Sequence, residues 1–441
     1  MKLTNLINKN DYTKKLNLIV IFISFPMLLF SQESKHYTLD RLIRTAYERY
    51  PYADQLNLTK KQVNESVKTV NTKWLPQLSA SAKTSYQSEV SAINIPENIE
   101  KSLGLNIASG TKLQYQGELS ASQLIYDGGI SNSQKKLNEI NGDIQQHQIK
   151  TSMLQVEDAV DNLFESIMIN KEQIKIVRFQ QNDLDLRKKD IVAAIQNGIA
   201  LKTELQELDA GIIQLKQNET ELQMQLCQRF IQLSSYTQEK IDTSAVLDLP
   251  QPFEDIDKNY SNRPDYKIFG KQILSSDLQL KKINQEVKPQ ISLFANGYYG
   301  RPGLNAMDYT SHYSGIVGVS LKWNIAALYD NTHQKKLINI DKNMIQNKQS
   351  LYEIEMNKQI DNLNTDLIKN NKLIESDDNI VTIRSNVKDI AAIQLKSGSI
   401  TLTDYLIKLN DESQAMINKS IHKIEFLMDG AKMRTLLNKN N

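Results

Sequence analysis

The spacing of hydrophobic positions along this chain changes in a fixed order, and that order is written out twice. Residues 39–50 carry apolar side chains at helical spacing. Pro51 interrupts them, and a second helix is predicted from about Ala53 to Thr72. Trp74-Leu75-Pro76 ends it, because proline disfavours helical geometry in the residue before it. From Gln77 the period becomes two. Leu78, Ala80, Ala82, Thr84 and Tyr86 alternate with Ser79, Ser81, Lys83 and Ser85, which predicts a strand over about 77–90 with one apolar and one polar face. A loop containing Pro96, Gly104 and Gly110 leads to a second strand, about 112–126, with Leu113, Tyr115, Gly117, Leu119 and Ala121 on one face.

After Asp127-Gly128-Gly129 the helical period returns and runs without a proline to Asn197. Residues 130–197 as one helix would measure about 100 Å at 1.5 Å per residue. Val156, Leu163, Val177, Leu184 and Ile191 keep a seven-residue track, and Val160, Ile167, Ile174 and Ile195 a second one. This is a coiled-coil-like pattern, interrupted at Asn170, Gln181 and Lys188. A return helix follows over about 201–236.

The second half repeats the sequence of periods. Its strands fall at about 290–300 and 312–323, its long helix at about 331–397 and its return helix at about 401–437. Gln134-Lys135-Lys136-Leu137 recurs as Gln334-Lys335-Lys336-Leu337, and Gly198 with Thr203 and Glu204 recurs as Gly398 with Thr403 and Asp404. Pro51 and Pro76 match Pro264 and Pro289 at an offset of 213, which drops to 200 after the strands. The first hairpin is therefore longer, and a length difference of this kind belongs at an exposed loop tip. The second long helix carries a patchier track through Ile360, Leu363, Leu367, Ile374 and Val381. The organisation expected is a first repeat over 32–236, an irregular linker over 237–262 and a second repeat over 263–441. The fold class is mainly α with a small β part.

Residues 1–31 stand outside that repeat. Lys2, Lys9, Lys14 and Lys15 precede an apolar run from Leu16 to Phe30, closed by Ser31-Gln32-Glu33. This is the layout of a secretory signal peptide. As a membrane anchor the run falls short of the ~20 residues that span a bilayer. Its removal takes away four lysines and Asp11, so the net charge falls from +2 to about −1. No clustered basic surface argues for nucleic acid. The only cysteine, Cys227, offers no intramolecular disulfide, and the absence of a cysteine at the cleavage point excludes lipid attachment there.

Four strands cannot stand alone in a bilayer, because an open sheet leaves edge N–H and C=O groups in lipid at several kcal/mol each. Membrane barrels use at least eight strands. If these strands cross a membrane, several chains must pool them, and three chains supply twelve. Trp74 and Trp323 lie at strand ends near the helices, while Tyr86, Tyr115, Tyr298, Tyr299, Tyr309 and Tyr313 crowd the strand region, as in an interfacial aromatic belt. The other reading of these residues is a small soluble sheet with core tyrosines.

The Leu75-Pro76 junction echoed by Lys288-Pro289, the turn Leu124-Ile125-Tyr126-Asp127-Gly128-Gly129, and the glycine turns Gly198/Glu204 and Gly398/Asp404 resemble the TolC-type outer-membrane efflux proteins over nearly all of the chain after residue 31. The resemblance implies a homotrimer: a shared 12-strand transmembrane β-barrel in outer-membrane lipid, and a trimeric α-barrel reaching into the periplasm. It implies a passive exit duct with two partners, a periplasmic adaptor protein and an inner-membrane transporter. The adaptor would meet Asn197, Gly198 and Ile199, and Ser397, Gly398 and Ser399. Asp404 and Glu204 become candidates for a pore constriction, since a carboxylate repeated by threefold symmetry makes a ring selective for cations. Either residue is equally an acidic side chain in a helix's first turn, favoured there by about 0.3–1 kcal/mol. Where the best-known relative has a second pore aspartate, this chain has Ile407, and its latch tyrosine and arginine fall on Leu395 and Ile400. The turn Trp323-Asn324-Ile325 also lacks the Asp-Gly-Gly pattern.

Enzymatic motifs are missing. His36, His147, His312, His333 and His422 fall on separate elements, none at metal-ligand spacing, and there is no phosphate loop or Gly-x-Ser-x-Gly. No cofactor is expected. The rival functional class is a periplasmic coiled-coil adaptor or scaffold without a membrane barrel, although such proteins hold one helical hairpin among many short strands.

Overall fold

A computed structural model describes residues 35–90, 99, 102, 110–198, 200–253, 258–305, 308 and 310–438. The expected signal peptide (1–31), the loop residues Pro96 and Gly104, Tyr309 and the tip residue Ile199 lie outside the described residues.

The chain opens with β1 (His36–Thr38) and α1 (Leu39–Arg49), followed by α2 (Tyr52–Thr72), β2 (Gln77–Tyr86) and β3 (Leu113–Tyr126). Helix α3 (Ile130–Gln196) holds 67 residues and turns into α4 (Lys202–Thr237). Then come β4 (Val246–Asp248), α5 (Pro264–Glu286), β5 (Gln290–Arg301) and β6 (His312–Lys322). Helix α6 (Ala327–Lys396), of 70 residues, turns into α7 (Leu402–Leu436). The first long strand ends at Tyr86 rather than near 90. Helix α6 starts four residues before Asn331, because Leu328 and Tyr329 already donate to the carbonyls of Ile325 and Ala326 and no glycine delays the winding.

Each long helix has two shorter partners laid along it. Helices α2 and α4 pack on α3, α5 and α7 pack on α6, and α3 also touches α5 and α7. The seven-residue tracks supply this packing: Val160 and Ile167 are fully covered, and Val156, Ile174, Val177, Leu184 and Ile191 are buried. Asn170 interrupts the track without leaving an orphaned amide. With the amide turned so that both of its ends are satisfied, its nitrogen donates to the Leu222 carbonyl at 2.9 Å and its oxygen accepts from Arg229 at 3.2 Å. A buried amide satisfied in this way avoids the roughly 1–3 kcal/mol that an unpaired one costs.

The segment 237–262 is more than the irregular linker expected of it. Val246–Asp248 pairs in parallel with His36–Thr38, joining the start of one half to the start of the other. Around this pair lies the largest core, where Tyr37, Leu42 and Ala46 meet Phe164, Phe230, Leu233, Leu247 and Met428. Three-residue strands are too short to show a period of two, so their pairing left no trace in the hydrophobic pattern.

The other four strands form one antiparallel sheet in the order β2-β3-β5-β6. At its lower end β3 passes into α3 through Asp127. This buried carboxylate accepts from the Gly129 amide at 2.8 Å and the Ser131 amide at 2.6 Å. Gly128 and Gly129 hold φ of +73° and +93°, a region that costs an L residue roughly 1–2 kcal/mol. Burial alone would raise the Asp127 pKa, but the hydrogen bonds from Ser131 and Gly129 win and hold it below the usual carboxylate value. The second half makes its turn otherwise: the Trp323 indole N–H donates to the Val287 carbonyl at 2.9 Å, and Asn331 donates to the Ile283 carbonyl at 2.9 Å.

Candidate functional surfaces: the sheet and the two turns

Alternation within each strand becomes a single surface because the register aligns all four. Leu78 stands opposite Ala121, which pairs with Ala295, which pairs with Val317. One step along, Ala80, Leu119, Gly297 and Gly315 line up, and then Ala82, Gly117, Tyr299 and Tyr313. The apolar positions of both repeats therefore share one face. That face is bare: Leu78 and Val317 are each 80% exposed and Leu119 69%. The opposite face carries Ser81, Lys83, Glu118, Ser120, Asn296 and Ser314. Among the described residues, β2 and β6 are each paired along one edge only.

The aromatic side chains mark both ends of this face. At the end away from the helices stand Tyr86, Tyr115, Tyr299 and Tyr313; the rings of Tyr299 and Tyr313 lie 4.6 Å apart, and Arg301 sits over Tyr115 at 5.8 Å. At the helical end Trp323 is half exposed, and Trp74 is half-buried with its carbonyl accepting from Gln123. Tyr313 to Trp323 spans about 33 Å of strand at ~3.3 Å per residue. Tilted by 35–45°, that gives a height near the ~25 Å apolar band of a membrane barrel.

At the far end of the helices the two turns share one geometry. Gly198 has φ +74° and Gly398 +73°, and their amides donate to the carbonyls of Ile195 and Leu395, both at 3.0 Å. In the second turn Ser399 also donates to the Gln394 carbonyl at 2.8 Å, completing the paired bonds of a Schellman stop. A Cβ at either glycine would meet nothing within 4 Å, so the left-handed backbone alone calls for glycine. Asn197 and Ser397 close the preceding helices, and the Ser397 and Ser399 hydroxyls lie 2.8 Å apart.

The two acidic candidates differ in their roles. Asp404, the third residue of α7, closes a reciprocal capping box with Thr401. Its amide donates to Thr401 Oγ1 at 3.1 Å, and its carboxylate accepts from the Thr401 amide at 3.1 Å and hydroxyl at 2.7 Å. These hydrogen bonds hold its pKa below the ordinary aspartate value. Glu204 occupies the equivalent turn of α4, where Leu201 stands at the cap and provides no side-chain bond. Behind the turns the hairpins pack on one another through Leu184, Leu208, Leu402, Tyr405 and Leu409, with Leu395 and Ile400 against them. The covered Tyr405 hydroxyl donates to Asp183, and buried Lys388 pairs with Glu412 at 3.4 Å.

One cluster escaped the sequence reading. Glu157 and Asp161, one turn apart on α3, are both buried where α1 and α7 meet it. Tyr47 donates to Glu157 at 2.6 Å, while the Thr435 hydroxyl stands 2.8 Å from Glu157 and 3.2 Å from Asp161. A single hydroxyl proton cannot serve both carboxylates. Burial, followed by the Glu157 charge, pushes the Asp161 pKa up to about 7. Their positions directly after Val156 and Val160 of the buried tracks were the available signal.

No described protein family matches the sequence, and no protein of curated function does either. Solved structures do. The chain superposes on the Campylobacter jejuni CmeC outer membrane channel with a TM-score of 0.69 and 14% identity, over 91% of this chain and 86% of that one. The outer membrane protein VceC of Vibrio cholerae gives 0.68 and 13%, over 90% and 95%. The open state of the Neisseria gonorrhoeae MtrE outer membrane channel gives 0.67 and 14%, over 90% and 88%. At this identity the likeness establishes the fold, and the fold is the TolC-type one that these outer membrane channels share.

Proposed function

We propose that this chain is the outer-membrane exit duct of a tripartite efflux or export assembly, built as a homotrimer. The observation that carries the reading is the bare apolar face of a four-stranded sheet with two free edges, fixed to helices about 100 Å long. Lipid is the solvent that suits such a face. Closure requires the free edge of β2 in one copy to pair with that of β6 in the next, and the two strands are well matched at 10 and 11 residues. Three copies then make a barrel of twelve strands with the polar faces that carry Ser81, Ser120, Asn296 and Ser314 lining a wet lumen. The helices favour the same association. Leu337, Met344 and Leu351 on α6 and Met224 and Ile231 on α4 are exposed at seven-residue spacing, and neighbouring copies would cover them.

On this reading the turns around Gly198 and Gly398 dock a periplasmic adaptor, which links the duct to an energised inner-membrane transporter. Three copies of Asp404 would ring the narrow end, kept ionised by their capping bonds. The adaptor or scaffold alternative is disfavoured by the sheet, since a soluble protein gains nothing from leaving Leu78, Leu119 and Val317 in water. Fractionation and planar-bilayer recording test the proposal. The protein should pellet with outer membranes and form cation-selective pores, and Asp404→Asn should weaken that selectivity. Recovery in the soluble periplasmic extract would refute the duct. Unchanged selectivity would take Asp404 out of the constriction.

A further inference from the structure

A cavity of about 620 Å³ opens where α1, α2 and α5 converge on the middle of α3. Its floor is apolar: Ile43 and Leu154 are buried, and Leu56 and Met153 complete it. Its rim is cationic. Arg44, Lys150 and Lys267 project from three different helices, and none makes an ion pair or side-chain hydrogen bond among the described residues. His147 lines the same wall, with Nδ1 buried and without a hydrogen-bond partner. Two carboxylates also reach the cavity, Asp40 and Glu157, but Glu157 is already engaged by the hydroxyls of Tyr47 and Thr435. The volume is that of an ordinary small-molecule site, whose usual make-up is an apolar wall with a few convergent polar groups.

We propose that this cavity binds an organic anion with an apolar body, such as an aryl or alkyl sulfonate or carboxylate. The apolar body would displace water from Ile43, Leu56, Met153 and Leu154, while Arg44, Lys150 and Lys267 meet the charge. Three unpaired cations around one opening leave an electrostatic gap that an anion fills, and charge-assisted hydrogen bonds to such a group are the strong ones. The His147 ring reports the same field, since burial first and then Lys150, Lys271 and Lys267 push its pKa down. The site does not depend on the duct reading, because its lining comes from one chain.

Calorimetric titration of the purified full chain in a non-ionic detergent tests it, with 1-naphthalenesulfonate as probe and uncharged 1-naphthalenemethanol as control. The sulfonate should bind saturably, once per chain, at least tenfold more tightly than the alcohol and more weakly as salt rises. The double variant Lys150→Gln/Lys267→Gln should lose at least tenfold in affinity, and Arg44→Gln alone should lose severalfold. These three residues are exposed, so an unchanged elution volume will certify the fold of each variant. Absence of saturable binding, equal affinity for the alcohol, or full affinity in the double variant would each overturn the proposal.

Discussion

The sheet and the middle of the helical body solve opposite problems with the same kinds of side chain. Around β1 and β4, apolar side chains such as Phe164, Phe230 and Met428 turn inward, and the buried carboxylates Glu157 and Asp161 meet the hydroxyls of Tyr47 and Thr435. In the sheet the apolar side chains of both repeats turn outward, and the polar ones face the side where a lumen would lie. The difference teaches that burial in this chain has two meanings. One region is finished by its own packing, and the other leaves an apolar face and two strand edges open among the described residues.

The largest predicted effect breaks the sheet side of that contrast. Val317→Arg places a charge on the bare face, where a cation at the bilayer midplane costs about 2–4 kcal/mol. Trimer yield from outer membranes should fall steeply, whereas Ser120→Arg on the opposite face should assemble. Equal yields would mean that Val317 does not face lipid.

The next prediction acts on the buried acids. The folded chain holds the Asp161 proton up to about pH 7, against 3.8 for the unfolded one. Below 3.8 neither state is ionised and the group costs nothing. As pH rises from there to about 7, the unfolded chain binds fewer protons than the folded one, so stability falls; above 7 the loss is complete. Asp161→Asn should therefore stabilise the protein more at pH 8 than at pH 5, by on the order of 2 kcal/mol. Thermal melts at the two pH values measure the difference, and a parallel shift would remove Asp161 from the account.

The glycine turns sharpen the comparison between the repeats. Gly198→Ala and Gly398→Ala should each destabilise by about 1–2 kcal/mol in chemical melts, since both backbones are left-handed and neither site is crowded. A smaller and unequal effect is expected at the caps. Thr401→Ala removes a reciprocal capping box and should cost about 1 kcal/mol, whereas Leu201→Ala breaks no cap bond.

Much of this architecture is legible in the sequence because it rests on local periods. A period of two placed Leu78, Leu119 and Val319 on an apolar face, and a seven-residue track placed Val160 and Ile167 in the helical seam. The two glycine stops likewise announce themselves, since a left-handed residue after a helix is most often glycine. What stayed hidden is non-local. Tyr37 reaches Leu247 across some 200 residues, and the parallel β1–β4 pair is too short to carry a pattern. The role of Asp404 was ambiguous for another reason. A capping carboxylate and a pore carboxylate are the same residue at the same position, and the capping box accounts for its orientation without a pore.

If three copies pool their strands, the mass of the protein extracted from outer membranes will reveal it. Native mass spectrometry after gentle detergent removal should give three chains, and Val317→Arg should deplete that species. A single chain, or a protein found only in the soluble extract, would contradict strand pooling.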